Sequence, residues 1–570
     1  MDTQDSKKAR GLVLGRRGLI KGAAGLAGGA AAYLIPSGCS PQRSSSAGAG
    51  ACPTSVVASD SNAVVETTAG KVRGFTRSGI HTFKGIPYAG TAEGKARFLP
   101  PSKPTPWTGI RSAMWYGPTC PQVPRTGWAN DENAFLFQWD DGQPGEDCLR
   151  VNVWTPGLND GKKRPVMVWL HGGGFTAGSG QEQAAYNGES LSRRGDVVVV
   201  SLNHRLGVLG YLNLAAYGSR YAGSANAGML DLVAALEWVR DNIAQFGGDA
   251  GNVLIFGQSG GGSKVSTLMA MPAAKGLFHK AVVQSGSGLK MIPPDESAKL
   301  AAAVLSELGL SKSQVDKLQD LPASRLIEAM IAAGKRVPAP PPAPPGVIAA
   351  RTGWGPTVDG KNLPRDPFDP TAPAISASVP MLIGTVLNET SPSMSDPKAE
   401  LLTEEEMEAQ LAKTHGNRAG RVLEVARKIY PDAKPVELSS LIARPRTNAV
   451  IQATRKIEQR AARAYLYLFT WKTPVLDGRP RAFHCAEIPF VFYNTDVSAF
   501  ATGGTAEARE LAAKVSDAWI SFARKGDPNH AGLPTWPAFD PQQGPVMVFD
   551  KICVVRNDPD RELRELLTTS

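Results

Sequence analysis

Asn252-Val253-Leu254-Ile255-Phe256-Gly257-Gln258-Ser259-Gly260-Gly261 is the stretch on which the fold turns. Its first five residues make an apolar run of strand length. The glycine-flanked serine follows at once. Beyond it Val265, Leu268 and Met269 recur at helical spacing until Pro272 stops the pattern. Strand, serine and helix in that order are the context of a nucleophile elbow. The turn is so tight that the positions around the serine must be glycine-sized, and the hydroxyl is pushed out above the sheet. The helix N-terminus then turns backbone N–H groups toward charge developing beside the serine. The pentapeptide alone is close to a chance event in a glycine-rich chain, and a purely structural glycine turn is the alternative. The neighbouring strand and helix are what point to Ser259 as a nucleophile.

Outward from this stretch, the chain repeats the same alternation. Pro165-Val166-Met167-Val168-Trp169-Leu170 and Asp196-Val197-Val198-Val199-Val200-Ser201-Leu202 are further apolar runs of strand length. Their lack of polar alternation predicts strands buried on both faces. Leu232, Leu236, Val239 and Ile243 predict a helix over 229–244. Strands alternating with helices predict an α/β fold, with a mostly parallel central sheet flanked by helices. Val64-Val65-Glu66 and Lys71-Val72-Arg73-Gly74-Phe75 read as a hairpin around Gly70. Residues 296–335 alternate helical segments with polar turns, and Pro338 to Pro345 is a proline-rich loop. Sheet material resumes at Val379-Pro380-Met381-Leu382-Ile383-Gly384 and Tyr465-Leu466-Tyr467-Leu468-Phe469. The loop is therefore read as a surface insertion in one catalytic domain over 61–565, with no internal repeat.

His171-Gly172-Gly173-Gly174-Phe175 also follows a strand. An oxyanion hole needs unblocked backbone N–H groups, and Gly173, Gly174 and Gly260 are the candidate donors. Such donors each stabilise a transition state by about 3–4 kcal/mol. A serine needs a base, and the base an orienting acid, in the chain order Ser, Asp/Glu, His. Beyond Ser259 stand His279, His415, His484 and His530. His279 comes too soon after the elbow helix. His415 and His530 lie in polar or Pro/Gly-rich stretches. His484, in Phe483-His484-Cys485-Ala486-Glu487, lies in a loop between apolar segments and is the expected base. Glu389, just past the strand near 379–384, is the expected acid, with Asp359 and Glu487 as competitors.

These segments, together with Phe83-Lys84-Gly85-Ile86-Pro87-Tyr88, Gly145-Glu146-Asp147-Cys148-Leu149-Arg150-Val151-Asn152-Val153-Trp154, Asn203-His204-Arg205-Leu206-Gly207 and Gln245-Phe246-Gly247-Gly248-Asp249, resemble the type-B carboxylesterase family, which includes cholinesterases and p-nitrobenzyl-esterase-like enzymes. The resemblance covers about 61–560. It implies an α/β-hydrolase fold with loop and helical insertions, the triad Ser259, Glu389 and His484, and the oxyanion hole Gly173, Gly174 and Gly260. It implies hydrolysis of small-molecule esters through an acyl-enzyme, a reaction that needs no cofactor or metal. Where the family's acid motif carries Asp before Glu, this chain has Asn388. The resemblance further implies a Cys120–Cys148 disulfide, stabilising by about 3–4 kcal/mol on a chain-entropy estimate, with Cys485 and Cys553 unpaired and buried. It also implies scaffold ion pairs Arg97–Glu146 and Arg205–Asp231. Cholinesterases hold a cation over a Trp in the corresponding loop; Trp139 is expected instead to be a plain pocket-wall aromatic. A non-catalytic binding or adhesion relative of this fold, or a hydrolase of amides, thioesters or carbamates, are the rival readings.

The N-terminus reads as an export signal. Lys7, Lys8 and Arg10 precede Gly15-Arg16-Arg17-Gly18-Leu19-Ile20-Lys21 and a mild Gly/Ala-rich stretch to Ile35, resembling a twin-arginine signal over 1–39. Lys21 and the many glycines argue against a spanning helix. Ser37-Gly38-Cys39 resembles a lipoprotein cleavage site that would tether the chain to a membrane through Cys39. Pro36 weakens it, and ordinary cleavage near Ala32 or Ala49 is the alternative. Residues 40–60 read as a disordered tether, rich in Ser, Ala, Gly and Pro in their first part. The location expected is periplasmic or extracellular. The formal charge is +10, but the first 39 residues hold six Lys/Arg and two Asp, leaving +6 on the rest. No basic cluster is interleaved with aromatics, so nucleic acid is not an expected partner. Six cysteines in an exported chain predict at least one disulfide, which spacing alone cannot assign. No CxxC pair exists and the seven His do not cluster with the cysteines, so no zinc site is expected.

Overall fold

A twelve-stranded sheet organises the molecule. The structure is a computed structural model in which residues 55–123, 131–341, 347–443 and 446–568 are described. The expected signal at 1–39 with Cys39, together with Cys52 and part of the proline-rich loop, lies outside the described residues. Those described fall within a single unit.

From one edge the sheet runs Val56–Val57, Phe75–Arg77, Ile80–Pro87, Arg150–Thr155, Val198–Leu202, Arg164–Leu170, Gly248–Gln258, Lys280–Gln284, Met381–Val386, Ala464–Phe469, Pro545–Phe549 and Val554–Asn557. Neighbours from Val198–Leu202 to Pro545–Phe549 are all parallel. Strands on either side of that block pair antiparallel. The hairpin at Gly70 forms, pairing Val64 with Arg73, but in a separate small sheet with Ile110–Ser112. The chain leaves that sheet at Gly74, and Phe75 already begins a strand of the large one.

The apolar strand runs have a direct cause. Val166, Val168 and Leu170 enter one core, while Met167 and Trp169 enter the other. Val253 and Ile255 likewise oppose Leu254 and Phe256. Successive side chains alternate faces, so a strand covered on both sides must be apolar throughout. The helix Ala227–Asn242 covers one face through Leu232, Leu236 and Val239, and Ile243 continues it in a 3-10 turn. The helix Ala506–Lys525 covers the other through Leu511, Val515, Trp519 and Phe522. The helices Glu404–His415, Ala419–Ile429 and Pro435–Ala443 join the last helix, Arg561–Thr568, around a small core of their own that includes Met407, Val422, Leu438 and Leu563.

Candidate active site

The elbow is built at the C-terminal end of the strand Gly248–Gln258, where the helix Gly260–Leu268 begins after a single residue. That residue, Ser259, has φ 56° and ψ −119°, a strained conformation for a residue with a Cβ. Its N–H donates to Gln284 O at 2.8 Å, which helps hold the strained turn. A Cβ on Gly260 would overlap the backbone of Gly174, and one on Gly261 would overlap Leu170 O. The glycines are there because the elbow helix and the glycine loop approach to backbone contact. Gly173 and Gly174 adopt φ of 79° and 63°. Lys264, fully buried on the elbow helix, donates to His171 O at 2.8 Å and braces that loop from beneath.

The His484 Nδ1 stands 2.6 Å from Glu389 Oε2, and Glu389 Oε1 accepts from the Val386 N–H at 3.3 Å. With Nδ1–H committed to the carboxylate, Nε2 is left as the basic nitrogen. Asn388 ties the acid loop to the histidine loop. Its N–H donates to Ala482 O at 3.1 Å, and its Oδ1 accepts from the Ala482 N–H at 3.2 Å. Its amide donates to the buried Glu437 at 3.3 Å, a bond an ionised Asp could not make. The Gln258 amide nitrogen lies 3.3 and 3.4 Å from the two ring nitrogens of His484.

The competitors are elsewhere or otherwise engaged. Asp359 accepts from Asn226, Asn362 and Leu363 in a loop turn. Glu487 is buried near Glu389 and accepts from Gln284 at 3.4 Å; burial, then the Glu389 charge, push its pKa up to about 7. His279 accepts from the Val253 N–H at 3.1 Å, His415 ends its helix, and His530 contacts Lys514 O at 3.0 Å. Arg97–Glu146 and Arg205–Asp231 form as buried pairs at 2.5 and 2.6 Å.

One correction concerns sulfur. Cys485 is not buried: with φ 82° beside His484 it faces the cavity, and its thiol donates to Gln258 at 3.2 Å. Cys120 and Cys148 are both buried and lie close enough for Cys120 to push the Cys148 thiol pKa up. Cys553 is buried as well.

Ser259 and His484 together line two lobes of a cavity. The first, about 750 Å³, is walled by Phe137, Trp139, Met330, Ile331, Trp354 and Met394. Trp139 stacks on Phe137 with centroids 4.8 Å apart, as a wall residue does. Among the described residues no group of three or more His, Cys, Asp or Glu could hold a metal ion, and no helix is long and apolar enough to cross a membrane. Sequence reading missed Lys264, Asn388's tie to Ala482 and Arg351 at the second lobe; each acts across more than 80 positions, where no local pattern reports.

A parallel sheet bearing a serine elbow, with a glutamate-held histidine beside it, defines an α/β-hydrolase. The Carboxylesterase family model matches residues 61–562, and the chain belongs to that family. It is 35% identical to the para-nitrobenzyl esterase of Bacillus subtilis, over 89% of this chain and 99% of that protein. It is 33% identical to the phenmedipham hydrolase of Pseudarthrobacter oxydans, over 85% and 94%. An esterase from anaerobic Clostridium hathewayi that can hydrolyze aliphatic aromatic polyesters superposes with a TM-score of 0.76 at 37% identity, over 90% of this chain and 99% of that one. The chain is a serine hydrolase of carboxylic esters.

Proposed function

We propose that Ser259, His484 and Glu389 are the catalytic triad. Ser259 Oγ attacks the ester carbonyl as its proton passes to His484 Nε2, and Glu389 steadies the imidazolium. The N–H groups of Gly173, Gly174 and Gly260 receive the oxyanion. The protonated histidine then gives its proton to the departing alcohol. Water, deprotonated by the same nitrogen, attacks the acyl-enzyme and releases the acid. The observation that carries this reading is the 2.6 Å Glu389–His484 contact at a cavity shared with the strained Ser259. The broad apolar lobe fits esters with bulky apolar or aromatic groups, in keeping with what the relatives' names say of those proteins.

Purified protein assayed on p-nitrophenyl esters of rising acyl length tests it beside Ser259→Ala. The variant is expected to lose about 10⁴-fold or more in kcat; equal turnover by both overturns the assignment. The same reading includes a Cys120–Cys148 disulfide and export by the Arg16-Arg17 signal to the periplasm or beyond, with lipidation of Cys39 as one form of tether. The burial of both cysteines and the influence of Cys120 on Cys148 support the first; the sequence motif alone supports the others.

A further inference from the structure

The second lobe of the cavity, about 620 Å³, differs in kind from the first. Beside Ser259 and His484 it is lined by Ser287, Thr385, Thr447 and Arg351. Ser287 Oγ, Thr385 Oγ1, Thr447 Oγ1 and Arg351 Nε are all buried without a hydrogen-bond partner. Buried polar groups are ordinarily paired, so four orphans among the residues of one lobe mark a place where a ligand supplies the partner. The Arg351 guanidinium lies 4.5 Å from the Phe175 ring centroid, and its Nη2 would be 3.4 Å from a Cβ at Gly174. It therefore sits at the rim of the glycine loop. Among the described residues no carboxylate forms an ion pair with it, and burial is the main influence on its charge. The other charged groups of the lobe are committed. Arg446 is paired with Asp558 and Asp560, and Glu389 with His484.

We propose that this lobe is an anion subsite, in which Arg351 with the Ser287, Thr385 and Thr447 hydroxyls holds a carboxylate carried by the ester substrate. A planar guanidinium matches a carboxylate with two parallel N–H donors, and the hydroxyls supply further donors. The preferred substrates are then esters bearing one negative charge on the acyl or the alcohol half. The proposal rests on the ester-hydrolase reading. It is separable from a general electrostatic role near the oxyanion, which would favour every ester alike.

Two matched pairs decide between these. The p-nitrophenyl monoester of glutaric acid against p-nitrophenyl pentanoate places the charge on the acyl half. The butyrate ester of 4-hydroxybenzoate against phenyl butyrate places it on the alcohol half. In Arg351→Met the charged-over-neutral ratio of kcat/KM is expected to fall about 10- to 100-fold in one pair, the scale of a hydrogen bond to a charged group. Thr447→Val, which keeps the guanidinium, is expected to lower the same ratio several-fold. In wild type, free glutarate is expected to inhibit neutral-ester turnover competitively and more strongly than its uncharged diamide, glutaramide, a measurement that needs no variant. An unchanged ratio in both pairs, an equal fall for charged and neutral esters, or equal inhibition by glutarate and glutaramide overturns the subsite while leaving the triad intact. No turnover of any of the four esters by wild type overturns the hydrolase reading itself.

Discussion

Glu487 shows how a single carboxyl is kept from interfering with the proposed triad. It lies close to Glu389 yet receives no bond from His484, and burial keeps it protonated up to about pH 7. A neutral carboxyl does not compete with Glu389 for the imidazolium. Because its folded pKa is raised from the ordinary 4.5, the stability it contributes is fully present below that value and is lost as pH climbs to about 7. Glu487→Gln keeps the neutral shape at all pH. Its unfolding free energy relative to wild type, from denaturant titrations, is therefore expected to rise between about pH 4.5 and 7 and then level off, for a total on the order of 3 kcal/mol. A constant gap across that range overturns the assignment. Glu487 and Glu389 are indistinguishable as residue types in the chain. What separates them is that only one meets His484 Nδ1, a fact of three-dimensional arrangement.

At the scale of elements, the elbow helix does more than carry the serine. Lys264, one turn in, donates to the carbonyl of His171 and so fixes the loop that holds Gly173 and Gly174. Lys264→Met leaves buried carbonyls without that donor, and the loop N–H groups lose their aim. Turnover is expected to fall about tenfold or more in kcat with a smaller change in KM, together with a lower melting temperature. An unchanged kcat would show that the glycine loop holds itself. Strand runs and the helix over 229–244 were legible because each reports its own burial through local periodicity. The layer over Glu404–His415, Ala419–Ile429 and Pro435–Ala443 was not, since its core closes only when Leu563 arrives from the far end of the chain. Similarly, Met381–Val386 begins two residues later than its apolar run, after Pro380, which cannot donate to a ladder.

At the scale of the whole molecule, the proposed Cys120–Cys148 disulfide would bear on stability, and both cysteines are buried. Non-reducing alkylation of the unfolded protein is expected to leave both unlabelled until reductant is added, with Cys553 labelled throughout. Reduction is expected to cost about 3–4 kcal/mol of stability. Labelling of Cys120 and Cys148 without reductant overturns the pairing. The two-lobed cavity is also a property of the whole molecule. Its walls come from helix Ala323–Arg336, from Trp354 and Arg351 beyond the proline-rich loop, and from the loops after three parallel strands.

The sequence by itself carried the strand–serine–helix elbow, the glycine run, and the order of serine, acid and histidine. Each of these is either contiguous or a matter of chain order, and strong local constraints write them into neighbouring residues. Only the tertiary structure decided which carboxylate meets His484, what braces the glycine loop, and that Arg351 faces a polar lobe beside Ser259. Those depend on contacts between segments tens to hundreds of residues apart, which leave no periodic trace in either partner. Ser259 thus marks its own chemistry, while the shape and charge that select its substrate are assembled around it by the fold.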